Sequence, residues 1–407
     1  MSITPGGAAA PAPPGVELPR PRTELWRRLL QGDLGSLRVL IAIAVIWAIF
    51  ESQESRFLTA VNLTNLVLQI TAIGLISVGV VLVLLLGEID LSVGAVSGLT
   101  SAIVAVLNVQ HGWDPYLAIA AGIVAGTGIG LFQGFMYDFF GIPSFVVTLA
   151  GLLAWQGFQL RVLGDTGTVN ITDPTITGLT STFYSDAVGW IIAVLGVALF
   201  AGSRLWGRRT RIRAGLAPPP LAALVLQIGL VTAGVIVTVA VLNSNRGVPL
   251  ALLVLLGFVL VFQYITTRTR FGRHIFAVGG SAEAARRAGI SIRRVRVVVF
   301  MLCSSMAAVG GIMAASRLLA VNQSSGGSNL LLLSIAGPVV AGTSLFGGRG
   351  SVWTALLGAI VIGSIQNGMD LLALASSIQF IVTGAVLLAA VVVDALARRQ
   401  RTASGRI

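Results

Sequence analysis

Residues 66–86 read LVLQITAIGLISVGVVLVLLL and contain no charged side chain over 21 positions. A helix rises about 1.5 Å per residue, so this run is about as long as the roughly 30 Å hydrocarbon core of a bilayer is thick. Eleven further apolar runs lie near residues 37–50, 91–108, 116–137, 143–161, 187–203, 221–242, 248–266, 297–316, 330–346, 352–372 and 377–394. The runs at 37–50 and 187–203 are short enough to be tilted, re-entrant or extended into their flanks. The sequence therefore predicts an all-α polytopic membrane protein with ten to twelve transmembrane helices.

The composition excludes a soluble globular domain. Of the 407 residues 55% are hydrophobic and 10% are charged, against about 25% charged in an average soluble domain. All 27 basic residues are arginine, and the phosphate loop of P-loop NTPases requires a lysine. The chain is therefore predicted to be no enzyme and to carry no cofactor, so that any ATP is bound by another polypeptide. One cysteine, Cys303, and two histidines, His111 and His274, are too few for a disulfide or a metal site.

The arginines predict how the chain is oriented. With the N-terminus in the cytoplasm and sides alternating, 23 arginines fall inside, and only Arg56, Arg161, Arg246 and Arg317 fall outside. Cytoplasmic loops carry the excess of basic residues in membrane proteins, so both termini are predicted to be cytoplasmic. The net charge of +12 is accordingly interpreted as an orientation signal and not as nucleic-acid binding.

The chain is expected to form one membrane domain between two tails. Residues 1–36 are rich in Pro, Ala and Gly and predict a cytoplasmic, largely disordered tail, with no signal-peptide cleavage site. Residues 37–397 are assigned to the membrane domain, and 398–407 to a second cytoplasmic tail.

The carboxylates near the apolar runs are predicted to lie at span ends. These are Glu88, Asp90, Asp138 and Asp370. A proton- or sodium-coupled carrier binds its coupling ion where access alternates, near the bilayer midplane. The absence of a carboxylate there weakens that class of transporter, although backbone carbonyls could still bind sodium.

The longest polar segment inside the membrane domain, residues 267–296, encodes a short helix. Ser281 is a good N-cap, Glu283 lies in the first turn and Gly289 can adopt the left-handed conformation after the last turn. Arg286 and Arg287 occupy that last turn. The simpler interpretation is a solvated basic loop. The punctuation by Gly279, Gly280 and Gly289 favours instead a rigid helix that receives force from a partner.

Four motifs resemble one family. They are GEIDLSVG (residues 87–94), GIPSFVVTLAG (141–151), VGGSAEAARRAGI (278–290) and AGTSLFGGRGS (341–351). Together and in this order they are similar to the permease subunits of bacterial ATP-binding cassette importers for monosaccharides. The Arg-rich insertion around 204–242 and QNGMDLL (366–372) are most similar to the D-xylose permeases of that family. Arg286-Arg287-Ala288 departs from the commonest loop pattern, in which a Leu-Ser pair often stands.

The resemblance implies a subunit of the bacterial inner membrane that works with three partners. These are a cytoplasmic ATPase subunit, an extracytoplasmic sugar-binding protein and a second permease copy, so that a homodimer is expected. The segment 267–296 would dock on the ATPase through its short helix. The residues assigned to this coupling loop are Gly279, Gly280, Ser281, Glu283, Ala284, Ala285, Arg286, Arg287 and Gly289.

GEIDLSVG allows two interpretations. Glu88 and Asp90 could simply end one span while Ser92 caps the next, or they could form a gate or an ATPase contact together with Ser92 and Gly94. Glu88 stands where many members of the family have glycine.

The sugar path is less clearly encoded. Neutral hydrogen-bonding side chains and aromatic faces bind neutral sugars, although most such residues within spans join helices to one another. The candidates are Gln69, Gln133, Trp155, Gln156, Ser334 and Asn367.

Other functions stay open. A permease of the same superfamily could import another sugar, a nucleoside or a branched-chain amino acid. A self-contained secondary sugar carrier and a passive channel are the alternatives from other classes.

Overall fold

A computed structural model describes residues 34–403, which form an almost entirely helical bundle. The first seven helices are α1 Leu34–Gln53, α2 Ala60–Leu85, α3 Val93–Ala105, α4 Pro115–Phe140, α5 Ser144–Leu163, α6 Pro174–Ser181 and α7 Asp186–Arg213. The remaining helices are α8 Leu221–Asn243, α9 Leu250–Arg268, α10 Arg270–Gly280, α11 Ala282–Arg287, α12 Ile292–Leu318, α13 Ser328–Val340, α14 Trp353–Leu371 and α15 Ser376–Ala403. A π-helical turn, Val106–Gln110, extends α3.

Each of the twelve apolar runs overlaps a helix, and the protein is an all-α polytopic membrane protein. Within residues 34–403, eight helices are long and apolar enough to cross a bilayer: α2, α3 with its π turn, α4, α5, α7, α8, α9 and α12. The runs at 37–50 and 187–203 are extended into their flanks, which was one of the alternatives left open, because α1 has 20 residues and α7 has 28.

The apolar run at 330–346 overlaps a helix that is too short to cross a bilayer. Helix α13 has 13 residues, and at 1.5 Å per residue it rises only about 20 Å, less than a hydrocarbon core. The apolar run 330–346 is longer than this helix because its last residues form a turn, in which Gly342 has a φ of 103°. The total of ten to twelve crossings stays a prediction.

The centre of the bundle consists of α2, α3 and α12, whose residues are mostly buried. Helix α4 approaches α12 closely through Gly126 and Gly130, and it approaches α3 through Gly122. A Cβ atom on Gly126 would lie 2.8 Å from Cβ of Ala308, so a larger residue would push the helices apart. These glycines therefore serve close helix packing, as small residues commonly do between membrane helices.

Four short strands are the only sheet structure in the described residues, and they lie at one end of the bundle. They are β1 Thr168–Asn170, β2 Phe183–Tyr184, β3 Val248–Pro249 and β4 Ala320–Asn322. Strand β1 pairs with β4 and β2 with β3, both antiparallel. We call this end the opposite face, and the end that carries residues 267–296 the arginine-rich face.

The two predicted tails lie mostly outside the described residues. Residues 34–36 belong to α1, and residues 398–403 continue α15.

Candidate functional site

The four motifs, which are far apart in sequence, meet around residues 87–94. Helix α2 ends at Leu85, and Gly87 turns the chain with a φ of 78°. The backbone N–H of Gly348 donates to the carbonyl oxygen of Leu85 at 2.9 Å. Gly279 lies against the same carbonyl so closely that a Cβ atom on it would overlap the oxygen. The end of α2 is thus clamped between α10 and the turn at 347–348.

Glu88 joins the segment to three further elements, α4, α5 and α12. Its carboxylate accepts hydrogen bonds from Ser144 Oγ at 2.7 Å and from the Tyr137 hydroxyl, and it forms an ion pair with Arg296 at 3.4 Å. One residue beyond Asp90, the N–H of Leu91 donates to Thr148 Oγ1 at 3.1 Å. Ser144 and Thr148 both belong to the motif at 141–151, which begins α5.

Arg296 lies at the centre of a small charged cluster on the arginine-rich face. Besides Glu88 it faces Asp138 at 3.8 Å, and Arg293 faces the same aspartate at 3.5 Å. Its guanidinium also lies over the ring of Tyr137, 4.8 Å from the centroid. Two carboxylates and two arginines therefore connect the residue 88 segment, the end of α4 and the start of α12.

Asp90 is buried deeper than its sequence position suggested. Its Oδ1 accepts from the N–H and the hydroxyl of Ser92 at 2.8 and 2.6 Å. The amide of Gln133 in turn donates to Ser92 Oγ at 2.9 Å. Only 3% of Asp90 is exposed, and its Oδ2 has no hydrogen-bond partner in the described part of the chain.

Asp90 lies between α2 and α3, as predicted, but inside the bundle and not at its surface. Its carboxyl lies beside the thiol of Cys303, near the middle of α12. The physical reason is that residues 88–92 do not turn back at the arginine-rich face but enter the bundle as an irregular segment, whose polar groups are bound by Gln133, Ser144 and Thr148. That none of the four carboxylates reaches the bilayer midplane stays a prediction.

The short helix predicted in residues 267–296 is present as α11. Ser281 caps it, accepting from the N–H of Ala284 at 3.2 Å, and Gly289 follows it with a φ of 79°. Glu283 and Arg287 form an exposed ion pair at 3.2 Å. Ala285 is buried, whereas Ala284 and Arg286 are exposed, so the helix packs on one side and presents the rest of its surface outward.

The flank of this helix differs from the prediction. Gly279 and Gly280 do not form a break ahead of α11 but end the amphipathic helix α10, which packs Ile275 and Val278 into the core. The break is Ser281 itself, whose extended backbone separates the two helices. Helix α10 therefore connects α11 to the end of α2 through Gly279.

A cavity of about 320 Å³ lies between α2, α3, α12 and the residues that precede α13. Its polar lining includes Gln69, Ser97, Ser101, Arg317 and Asn329. It reaches the opposite face at Arg317, near the end of α12. On the side of the arginine-rich face the cavity is closed by the contact between Gly326 and Gly94. A Cβ atom on Gly94 would lie 2.6 Å from the carbonyl oxygen of Gly326. The residue 87–94 segment thus lies between the cavity and the arginine-rich face.

The six predicted path residues are separated by the fold. Only Gln69 lines the cavity. Gln133 binds Ser92, as described above, and Asn367 pairs with Asn62 through two amide hydrogen bonds of 2.8 and 3.1 Å. The last three lie elsewhere: Ser334 is buried with its hydroxyl on the carbonyl of Leu330, Trp155 has a buried indole N–H without a partner among the described residues, and Gln156 is half-buried on α5.

Ser97, Ser101 and Arg317 line the cavity but were not among the predicted path residues. The sequence contained two signals that could have identified them. Ser97 and Ser101 are four positions apart and therefore on one helix face, among residues that are otherwise apolar or small. Arg317 is one of the four arginines that violate the charge asymmetry, and an arginine retained against that preference indicates a local role.

The chain matches the family model "Branched-chain amino acid transport system / permease component" over residues 62–391. It belongs to this permease family. The xylose transport system permease protein of Escherichia coli strain K12 is 37% identical over 370 residues, 90% of this chain and 93% of that protein. The Haemophilus influenzae protein of the same name is 35% identical over 88% and 95% of the two chains.

More distant relatives include the ribose import permease protein of E. coli strain K12, which is 30% identical over 87% of this chain and 92% of that protein. No solved structure matches the chain. The resemblance stated from the four motifs is confirmed, and the protein is a multi-pass transporter subunit of the bacterial inner membrane.

Proposed function

We propose that the chain is the membrane subunit of an ATP-driven importer for D-xylose. The two xylose permeases are 37% and 35% identical to this chain, and the ribose permease is 30% identical. The family and the lack of lysine favour a design in which ATP is hydrolysed by a separate subunit. A secondary carrier has no comparable support.

The observation that carries the mechanism is the contact of Gly279 with the end of α2. Helix α11 presents an outward surface suited to a groove on an ATPase subunit. A displacement of α11 would pass through α10 to Leu85, because the contact at Gly279 leaves no space to absorb it. A second connection runs through Arg296 to Glu88. Both end on the segment that separates the cavity from the arginine-rich face.

We assign Glu88, Asp90, Ser92 and Gly94 to a gate on this basis. In the closed form, Gly326 lies on Gly94 and the Asp90–Ser92–Gln133 hydrogen bonds hold the segment in the bundle. Movement of α2 relative to α12 would open a route beside this segment. The arginine-rich face is then cytoplasmic, and the opposite face receives sugar from an extracytoplasmic binding protein.

The cavity is the proposed sugar path. Its volume of about 320 Å³ lies at the lower end of the range for small-molecule sites. Ser97 and Ser101 each donate to a backbone carbonyl in the preceding turn, which leaves their oxygen lone pairs free to accept from sugar hydroxyls. Gln69 and Asn329 offer amides, and Arg317 offers donors only. A second permease copy would enclose the cavity further.

The substrate is tested by uptake in a host that lacks its own pentose importers. The chain is expressed with its cognate ATPase and binding protein, and labelled D-xylose, D-ribose and D-galactose are supplied. We expect ATP-dependent uptake of D-xylose above the other two. Preferred uptake of another compound would contradict the assignment of D-xylose as the substrate. Uptake without the ATPase would contradict the ATP-driven mechanism and indicate a secondary carrier.

A further inference from the structure

The hairpin of α7 and α8 carries a basic surface that the transport mechanism does not use. Five arginines, Arg204, Arg208, Arg209, Arg211 and Arg213, fall within the last ten residues of α7. No acidic residue occurs between Asp186 and Glu283. None of the five forms an ion pair with a residue in the described range. The positive charge is therefore locally uncompensated.

The depth of these arginines follows from the length of α7. Residues 186–203 contain the apolar part, and 18 residues rise about 27 Å, close to the thickness of a hydrocarbon core. Arg204 and Arg208 then fall in the head-group layer, which is about 5–8 Å thick on each side. The exposed Trp206 lies between them, at the level where membrane proteins concentrate tryptophan.

The arrangement around the helix defines one face. Arg204, Arg208 and Arg211 follow the i, i+4, i+7 spacing and share a side of α7, whereas Arg209 and Arg213 form a pair on the other side. Like charges at i, i+4 repel each other, so this face favours an anion that bridges them. The Nε of Arg208 is buried and has no hydrogen-bond partner among the residues described.

The hairpin touches the bundle at its other end. Ala193 of α7 and Val239 and Leu242 of α8 form an apolar cluster with Val248, near the opposite face. Large apolar side chains such as Leu199 and Leu226 are exposed along the outside of both helices, where lipid tails would cover them. The basic end is consequently surrounded by lipid and head groups more than by its own chain.

We propose that Arg204, Arg208 and Arg211 bind the phosphate groups of anionic phospholipids. Guanidinium groups bind phosphate in a bidentate geometry, and clustered arginines next to a membrane helix attract anionic lipids. The bound lipid fixes the depth and tilt of a hairpin that has few contacts at this end. The inference is independent of the transported substrate.

The test measures lipid binding to the purified full chain by native mass spectrometry. The chain is titrated with phosphatidylglycerol and, separately, with phosphatidylcholine. Two double variants each remove two charges from the same helix: Arg204→Gln/Arg208→Gln in the proposed face, and Arg209→Gln/Arg213→Gln as the matched control. Labelling of Thr210→Cys in a Cys303→Ser background verifies that both hairpins keep the wild-type orientation.

We expect the wild type and the control to prefer phosphatidylglycerol. Arg204→Gln/Arg208→Gln should weaken that binding by about 5-fold for each arginine, or about 25-fold in total, and leave phosphatidylcholine binding unchanged. Equal losses in the two variants, or no preference in the wild type, would overturn the proposal. If lipid binding is unchanged but the first variant no longer co-purifies with the ATPase subunit, the face binds a protein and the lipid site is refuted.

Discussion

Arg296 and Glu88, which are 208 positions apart, form an ion pair of 3.4 Å at the arginine-rich face. Their side chains are largely buried, with 25% and 17% exposed. The pair links the start of α12, at the end of the predicted coupling segment 267–296, to the segment that enters the bundle. Arg296 also compensates Asp138, so the arginine serves two carboxylates.

Because Arg296 faces two carboxylates and Glu88 faces one arginine, substitutions at the two positions should have unequal effects on stability. Arg296→Gln leaves Glu88 and Asp138 without their shared partner, whereas Glu88→Gln leaves Arg296 still paired with Asp138. Loss of one partner of a buried pair costs about 3–5 kcal/mol, and this half-buried pair should lie below that range. We expect Arg296→Gln to lower the unfolding midpoint in detergent more than Glu88→Gln. Glu54→Gln, in the exposed Glu54–Arg56 pair, is the control; equal losses at positions 296 and 88 would contradict the shared role.

Gly279 and Gly280 are adjacent in α10 but meet different surroundings. A Cβ atom on Gly279 would overlap the Leu85 carbonyl, whereas nothing lies within 4 Å of one on Gly280. Gly279→Ala should therefore displace the backbone of α2 or α10 and cost about 1–3 kcal/mol, with transport strongly reduced. Gly280→Ala should be neutral or slightly stabilising, because alanine favours a helix. Unfolding midpoints and uptake are measured for both, and normal uptake by Gly279→Ala would refute the proposed rigid connection.

Asp90 is predicted to act as an acceptor and not to require a negative charge. Asp90→Asn keeps an oxygen for the N–H and hydroxyl of Ser92, while Asp90→Ala leaves the buried N–H unpaired and leaves the hydroxyl only the amide oxygen of Gln133, at 3.1 Å. An unsatisfied buried donor costs about 1–3 kcal/mol. Asp90→Asn should therefore be more stable than Asp90→Ala by at least about 1 kcal/mol and should retain more transport. If both variants lose transport alike while only the alanine variant loses stability, the charge itself is needed.

The features that the sequence predicted correctly are those that depend on residues close together in the chain. The cap at Ser281 and the left-handed Gly289 follow from side chains and backbone preferences within one turn, so α11 was found nearly residue by residue. The path of Asp90 depends on Gln133, Ser144 and Thr148, more than 40 positions away, and hydropathy carries no information about such pairing. The run at 330–346 illustrates the same limit, because its composition is apolar enough for a span while its backbone turns after Val340.

Ser281 and Ser291 offer a matched test of the helix cap. Both precede a helix, but only Ser281 accepts a hydrogen bond from the backbone, whereas Ser291 makes no such cap. Ser281→Ala should destabilise the six-residue helix α11 by about 1 kcal/mol. Amide hydrogen exchange at Ala284 should accelerate about 5-fold, and coupled ATP hydrolysis should fall while the chain still assembles. Ser291→Ala should change neither quantity; a similar response to both substitutions would mean that the cap does not matter.

A comparison of Gln69 with Gln156 tests whether the sugar passes through the cavity. Both were predicted from the sequence as glutamines within spans, but Gln69 lines the cavity and Gln156 does not. If sugar passes through the cavity, Gln69→Ala removes an amide that hydrogen-bonds the hydroxyl groups of the sugar, and a net hydrogen bond contributes about 0.5–1.5 kcal/mol. The concentration for half-maximal uptake should rise about 2- to 10-fold, with membrane levels of the chain unchanged.

Gln156→Ala should leave uptake at the wild-type level, because its side chain has no place in that route. Ser97→Leu provides an independent check, since it places an apolar side chain in the cavity and should reduce the maximal rate of uptake. Quantitative immunoblotting of membranes confirms that each variant is inserted. If Gln156→Ala impairs uptake while Gln69→Ala and Ser97→Leu do not, the sugar follows another route and the assignment of the cavity must be abandoned.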